Sequence, residues 1–439
     1  MHADGQAASS DGVSRRRVLR GLGAGSAITL GGVAGCQGSG SDSTPTETDS
    51  GATFVLSTAQ SGPYSDIGAE EQRGFELAVD HINQGGGFVD SDALSLDGSG
   101  LLDQQVDTAT VDTGSDPDTA RSAVEPYTGD TPASLLVGGI AGSVVRELRS
   151  VAGENGVVYF PGLSTLDGVS GGNCSSAVYR ETYNTSTLIR ALGSAIGDRF
   201  GSSISYYQLH VDAPEGRDLF NAVNDHFPDR TDAGWEGRGD QQIRPGSTSF
   251  ESAINGISAV LPDVLFVDLF GLDAANAIQQ IRAALEDVII VVPVLDQTVA
   301  STVGADIEGV VGTAPWHPAV PAETAGTFAD AYRAAHGDDV TPTGPARTAY
   351  AQTILFADAA ESANGYASDA VKSELEDRQY DLGLGSETLR ACDHQAARPV
   401  PIVRGKADTA APGGWLELDS VQEGVTPGCD ESPASDCSF

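Results

Sequence analysis

Few stretches of this 439-residue sequence carry residue types suited to covalent chemistry, and each is let down by its surroundings. Gly168-Val169-Ser170-Gly171-Gly172 satisfies the glycine–x–serine–x–glycine pattern of serine hydrolases. That chemistry needs a strand before the serine and a helix after it, so that a sharp turn presents the hydroxyl. Here Thr165-Leu166-Asp167 precedes and Asn173-Cys174-Ser175 follows, which reads as a plain turn. Asp393-His394 sets an acid beside an imidazole, but no nucleophile or metal partner is legible nearby, so a packed or surface histidine is expected. The cysteines at 36, 174, 392, 429 and 437 form no CxxC or Cys/His spacing of a zinc site. No catalytic group, metal or cofactor is expected.

What remains is recognition. A zwitterion held away from water needs donors for its carboxylate and an acid for its ammonium, because burying either charge unpaired is costly. Ser143 opens a helical segment after a glycine-rich loop, so its hydroxyl and the neighbouring N–H groups can face an anion with the helix dipole behind them. The same placement serves an ordinary N-cap. Asp296 follows the apolar run Val288–Leu295 and is the candidate ammonium acceptor. In so acidic a chain, the plain alternative for any one Asp is a solvated surface charge.

The elements that must position these residues alternate in type. Strands are expected at Thr53–Thr58, Leu135–Val137, Val157–Phe160, Ile204–Leu209, Val264–Phe270 and Val288–Leu295. Helices are expected at Ala69–Asn83, Asp118–Tyr127, Ser143–Glu154, Thr187–Phe200, Glu215–His226, Phe250–Ala259, Asp273–Leu285, Ala322–His336 and Thr348–Ala363. Repeated β-α-β units predict an α/β fold of parallel sheets flanked by helices. More than ten such elements exceed one comfortable sheet, so two Rossmann-like lobes follow. Ligands in such sheets bind beyond the carboxyl ends of the strands.

The formal charge is −38, from 62 acidic residues against 24 Lys and Arg, of which only Lys372 and Lys406 are lysine. Such a surface repels nucleic acid and anionic lipid headgroups, so neither is an expected partner. Disorder is excluded because 40% of residues are apolar and fall in periodic segments. The composition resembles that of proteins of haloarchaea, whose repulsion concentrated salt screens within about 3 Å at 1 M.

The N-terminus reads as an address. Ser14-Arg15-Arg16-Arg17 precedes a Gly/Ala-rich stretch, Gly21–Ala34, too short for the ~20 apolar residues of a membrane span. Arg15 and Arg16 resemble a twin-arginine export signal, and Val33-Ala34-Gly35-Cys36 resembles a lipobox. The expectation is a signal peptide over 1–35, lipid on Cys36 that ties the chain to the outer face of the cytoplasmic membrane, and a flexible Ser/Thr/Gly/Asp tether over 36–52. An ordinary secretory signal with a free cysteine is the alternative. Four cysteines then remain, with three possible pairings, and a local Cys429–Cys437 clasp is favoured.

Taken in order, several loops carry a resemblance over about 53–420. They are Ser61-Gly62-Pro63-Tyr64 with Gly68, Ala78-Val79-Asp80-His81-Ile82-Asn83, Asp112…Asp116-Pro117, and Val137-Gly138-Gly139…Gly142-Ser143. Further on come Tyr159-Phe160-Pro161-Gly162-Leu163-Ser164-Thr165, Tyr179-Arg180, Phe270-Gly271, Glu308-Gly309-Val310-Val311-Gly312 and Ala331-Tyr332-Arg333. Together they resemble the periplasmic binding proteins (type I) of the branched-chain amino acid and amide group. The resemblance implies two lobes joined by three crossovers, near Tyr179–Asn184, Val311–Trp316 and Asp381–Gly385, with a ligand cleft between them. It divides the chain into a first lobe of 53–181 with 314–382, a second of 182–313 with 383–425, and a C-terminal tail of 426–439 without counterpart; residues 86–104 are a longer insert.

The resemblance also implies ligand contacts at Gly162 and Ser164, which an ordinary strand-exit turn would equally explain, and at Asp212 in the second lobe. Tyr64 or Ser65 would cap the site from the first lobe. Phe270 would floor the cleft or pack in the core, and Trp316 would line the hinge or pack there. Glu215 stands where the family carries an aromatic, which departs from an aliphatic amino-acid pocket. The implied role is capture of a small polar solute, amino-acid or amide-like, for the permease of an ABC importer; amide, urea and small organic acid stay open as ligands. A sensor of the same fold and, distantly, a hydrolase using Ser170 are the alternatives.

Overall fold

The computed structural model describes residues 51–129, 132–201, 204–230, 234–409 and 413–439. The export signal with Arg15 and Arg16, the lipidation site Cys36 and nearly all of the tether lie outside the described residues. Thr53–Thr58, apolar enough to be covered on both faces, forms β1. After it come α1 (Ser65–Gln84), β2 (Asp107–Asp112), α2 (Pro117–Val124), β3 (Leu135–Gly138), α3 (Gly142–Asn155) and β4 (Val158–Pro161). The α2 start follows from its residues: Asp116 accepts the Thr119 N–H and Pro117 begins the helix. The four strands are parallel, in the order β2-β1-β3-β4.

The chain then crosses to a second sheet through α4 (Thr185–Phe200), β5 (Ser205–Val211), α5 (Pro214–Arg230), β6 (Glu236–Ile243), α6 (Glu251–Val260), β7 (Val264–Asp268), α7 (Gly271–Ala284), β8 (Ile289–Val294), α8 (Gln297–Val303) and β9 (Val311–Thr313). It returns to the first lobe as α9 (Ala325–His336), α10 (Gly344–Ser362), α11 (Ser368–Leu375) and the short antiparallel strands β10 (Gln379–Tyr380), β11 (Glu387–Leu389) and β12 (Ala396–Ala397). It ends in the second lobe with β13 (Val400–Gly405) and β14 (Leu416–Gln422), which extend that sheet antiparallel from β9. The order there is β14-β13-β9-β8-β7-β5-β6. The expected α/β architecture of helix-flanked parallel sheets is the one found.

Each sheet is covered on both faces. In the first lobe, α1, α9 and α10 bury one face, with Phe54 of β1 edge-on to Phe356 of α10 at 5.2 Å, while α2 and α3 cover the other. In the second, α6, α7 and α8 lie on one face and α4 and α5 on the other. The long insert packs on α10, where the Ser95 N–H donates to Asp358 Oδ1 at 2.6 Å. Among the described residues, no helix is long and apolar enough to cross a membrane.

Two expectations need correction. Leu384, Leu389 and Ala396 pack in the first lobe's core with Phe54 and Trp316, so the chain stays there past the expected third crossing at Asp381–Gly385 and leaves only before Val400, which packs in the second. The antiparallel β10–β12 excursion hides this boundary. The disulfides are Cys174–Cys437 and Cys392–Cys429, not Cys429–Cys437. The tail is laid across the crossings: Pro433 abuts Gly171, Arg190 pairs with Glu431 at 2.8 Å and Ala434 is buried, so the two tail cysteines meet different segments.

The crossings are joined by buried charge. Arg347 of α10 contacts Glu181 of the first crossing and donates to Glu387 Oε1 at 2.6 Å. Arg398 of the third crossing donates to the Glu181 carbonyl oxygen at 2.9 Å and carboxylate at 3.3 Å, and to the Pro315 carbonyl of the second. All four side chains are fully buried, and the Tyr183 ring lies 5.7 Å from the Arg398 guanidinium. Burial pushes the Glu181 carboxyl up, but Arg347 and Arg398 together pull it below its ordinary value.

Arg347→Met keeps the bulk and leaves Glu181 and Glu387 short of a cation. It should lower the unfolding free energy by about 3–5 kcal/mol, read from denaturant midpoints. Peptide mapping without reduction should recover Cys174 linked to Cys437 and Cys392 linked to Cys429.

Candidate ligand-binding site

The parallel strands of both sheets end on one cleft. After β1 come Tyr64 and, on α1, Ile67; after β3, Ile140; after β4, Leu163, Ser164 and Thr165. The second lobe supplies Glu215 after β5, Phe270 and Gly271 after β7, and Val294, Asp296 and Val299 at the end of β8 and the start of α8. This is where open α/β sheets place ligands, because strand ends and helix starts leave backbone groups unpaired there. The lobes stand close together here, with room between these side chains for about one water molecule, so a solute enters only as they part.

Four of the residues expected from sequence meet there: Tyr64, Ser164, Phe270 and Asp296. Ser164 is 3% exposed, and its hydroxyl has no hydrogen-bond partner. Asp296 is 3% exposed and caps α8 by accepting the Val299 N–H at 3.0 Å. Phe270 precedes α7 and packs against both lobes.

The other four do not line the cleft. Gly162 is needed for packing: a Cβ there would lie 2.0 Å from Glu71 Oε1 and 2.7 Å from the Gly139 carbonyl oxygen. Glu71 is a buried carboxyl that accepts from Thr58 at 2.6 Å, and burial pushes it up to about 7. Ser143 is not the cap of α3, which starts at Gly142 after Ala141. Ser65 is the first residue of α1 and Asp212 is exposed on the second lobe. Trp316 donates to the Gly383 carbonyl at 2.6 Å inside the first core and so packs rather than lines.

The group that sequence reasoning left without a role is Glu215. It is 4% exposed and reaches across the cleft, accepting the N–H of Gly142, the first residue of α3, at 3.3 Å. Its Oε2 has no hydrogen-bond partner. Asp66, also unassigned, lies in the opposite sense: a Cβ at Gly271, the first residue of α7, would sit 3.3 Å from its Oδ1. Burial raises the pKa of Glu215 and Asp66 alike, and Glu70 adds to it at Asp66.

The residues that resembled catalysts are accounted for by packing. Ser170 sits in a single 3-10 turn and donates to Gln395 Oε1 at 3.0 Å. Asp393 pairs with Arg390, and His394 stacks on Tyr179 at 4.0 Å with its Nδ1 3.1 Å from the Val178 carbonyl oxygen.

Burial pushes the Asp296 carboxyl from 3.8 to about 6, with Asp66 and Glu70 adding to the rise. The folded chain therefore holds this proton more tightly than the unfolded chain does. The resulting stability is present in full below pH 3.8 and is lost as pH rises through about 6. Asp296→Asn keeps an oxygen for the Val299 N–H and should escape that loss. Without ligand it should gain on the wild type by up to about 3 kcal/mol between acid and neutral pH, measured by denaturant unfolding.

No curated protein matches this sequence. A family model described as periplasmic binding protein matches residues 53–410. Among solved structures, an amino acid ABC transporter substrate-binding protein from Pseudomonas fluorescens Pf-5 aligns at a TM-score of 0.78 and 19% identity, over 89% of this chain and 100% of that one. A solute-binding protein of an R. palustris ABC transporter, in complex with benzoate, aligns at 0.75 and 17%, over 89% and 100%. A branched-chain amino acid transporter substrate-binding protein from Streptococcus pneumoniae, in complex with isoleucine, aligns at 0.71 and 18%, over 85% and 99%. At these identities the structures speak for the fold. The family match runs through both lobes and every loop that lines the cleft, and by it the chain belongs to the periplasmic binding proteins, a family of transport receptors and not of enzymes.

Proposed function

We propose that this chain is an extracytoplasmic receptor that captures a small polar solute between its lobes and delivers it to the permease of an ABC importer. The observation that carries the reading is the cleft itself, lined by the strand ends of both sheets and holding unpaired polar groups at Ser164 and Glu215. Tyr64, Ser164, Glu215, Phe270 and Asp296 are the proposed ligand contacts. Binding holds the lobes together, and three crossings let them part.

The amino-acid and amide class is the starting point for the solute, since the similar structures include receptors for amino acids; one of them holds an aromatic acid. Export through the Arg15-Arg16 signal and lipid on Cys36 would keep the receptor at the outer face of the cytoplasmic membrane, within reach of its permease.

A thermal-shift screen in molar salt, with amino acids, short amides, urea, amines and aromatic acids, tests the reading. A solute at a thousand times its dissociation constant should add about 4 kcal/mol of stability. The shift should vanish in Asp296→Ala. A folded protein that no small solute stabilises would contradict it.

A further inference from the structure

We infer that the cleft takes an organic cation that brings no carboxylate of its own, because Glu215 already fills the anion-binding place between the lobes. The inference rests on the receptor reading and narrows it to a ligand class.

The start of α3 is the natural seat for a ligand carboxylate, with free N–H groups and the positive end of the helix dipole. Here the protein supplies that anion from the opposite lobe. Gly142 donates to Glu215 Oε1 at 3.3 Å, and a Cβ at Gly142 would lie 2.5 Å from Oε2, so the glycine makes room for the carboxylate. With one oxygen on the helix end, the other is 96% buried with its residue, lines the cleft and has no partner.

The rest of the described lining adds negative charge and no basic side chain. Asp296 is a second buried carboxyl in the cleft wall, and the Asp66 carboxyl lies against Gly271 of the same lining. Among the described residues, no Lys, Arg or His lines the space. Arg146 acts on Glu215, but from the exposed side of α3. A second anion placed here would face uncompensated repulsion at low dielectric, while a cation would pair with groups now left bare. Tyr64 and Phe270 add to the lining the aromatic rings that organic cations favour, and the Ser164 hydroxyl remains to accept an N–H.

Calorimetric titration of the folded chain in molar salt, with matched pairs differing by a carboxylate, tests this: choline and glycine betaine, putrescine and ornithine, agmatine and arginine, 3-methylbutylamine and leucine. Acetamide and benzoate serve as neutral and anionic probes. At least one cation should bind, at least tenfold tighter than its carboxylated partner. Glu215→Gln, which keeps shape and hydrogen bond, should weaken that cation at least tenfold. Glu215→Ala, which vacates the α3 start, should cut the preference over the carboxylated partner by a similar factor. A carboxylated partner, acetamide or benzoate binding as tightly as any cation would overturn the inference and leave the receptor reading intact. Binding by none of the probes would count against both.

Discussion

The structure turns on four charged side chains that no water reaches. Glu181 comes from the first crossing, Arg398 from the third, Arg347 from the long helix α10 and Glu387 from β11, and together they are electrically neutral. Taking such groups out of water is expensive, and the cost is met only while every partner is in place. The consequence is geometric. Arg398 alone ties the third crossing to the first through Glu181 and to the second through the Pro315 carbonyl. The lobes therefore share one stiff pivot, and freedom to move is left to the cleft beyond it. The tail disulfides add covalent ties to Cys174, shortly before the first crossing, and to Cys392, shortly before the third.

Closing two lobes of a chain with net charge −38 works against Coulomb repulsion. Dissolved salt can screen the surfaces but reaches little into a closed cleft. The contacts across the cleft answer this with helix ends. Glu215 of the second lobe meets the start of α3 in the first, and Asp66 of the first meets the start of α7 in the second. Each places a carboxylate against the positive end of a helix in the other lobe, an attraction that needs no basic residue. This suits a sequence with two lysines, and it leaves the cleft wall acidic.

Legibility from sequence followed burial. Val264–Asp268 and Ile289–Val294 are covered on both faces and so read as apolar runs. Asp107–Asp112 and Glu236–Ile243 are edge strands, exposed or half-exposed and polar, and nothing in their periodicity marks them as sheet. At the site, Tyr64, Ser164, Phe270 and Asp296 are legible because each lies in the loop that follows a strand. Gly162 occupies a similar position but answers to Glu71, a contact that only the packed fold reveals. Glu215 departs from the aromatic of the resembled family, but its partner lies 73 residues away across the cleft. The Cys174–Cys437 bond spans 263 residues and leaves no local trace.

On the receptor reading, the two lobes close on a solute about a fixed hinge. Small-angle X-ray scattering of the folded chain in molar salt, with and without a solute that raises its melting temperature, tests it most directly. Closure should give a smaller radius of gyration when the solute is bound. A radius unchanged at saturating solute would contradict closure as the means of capture.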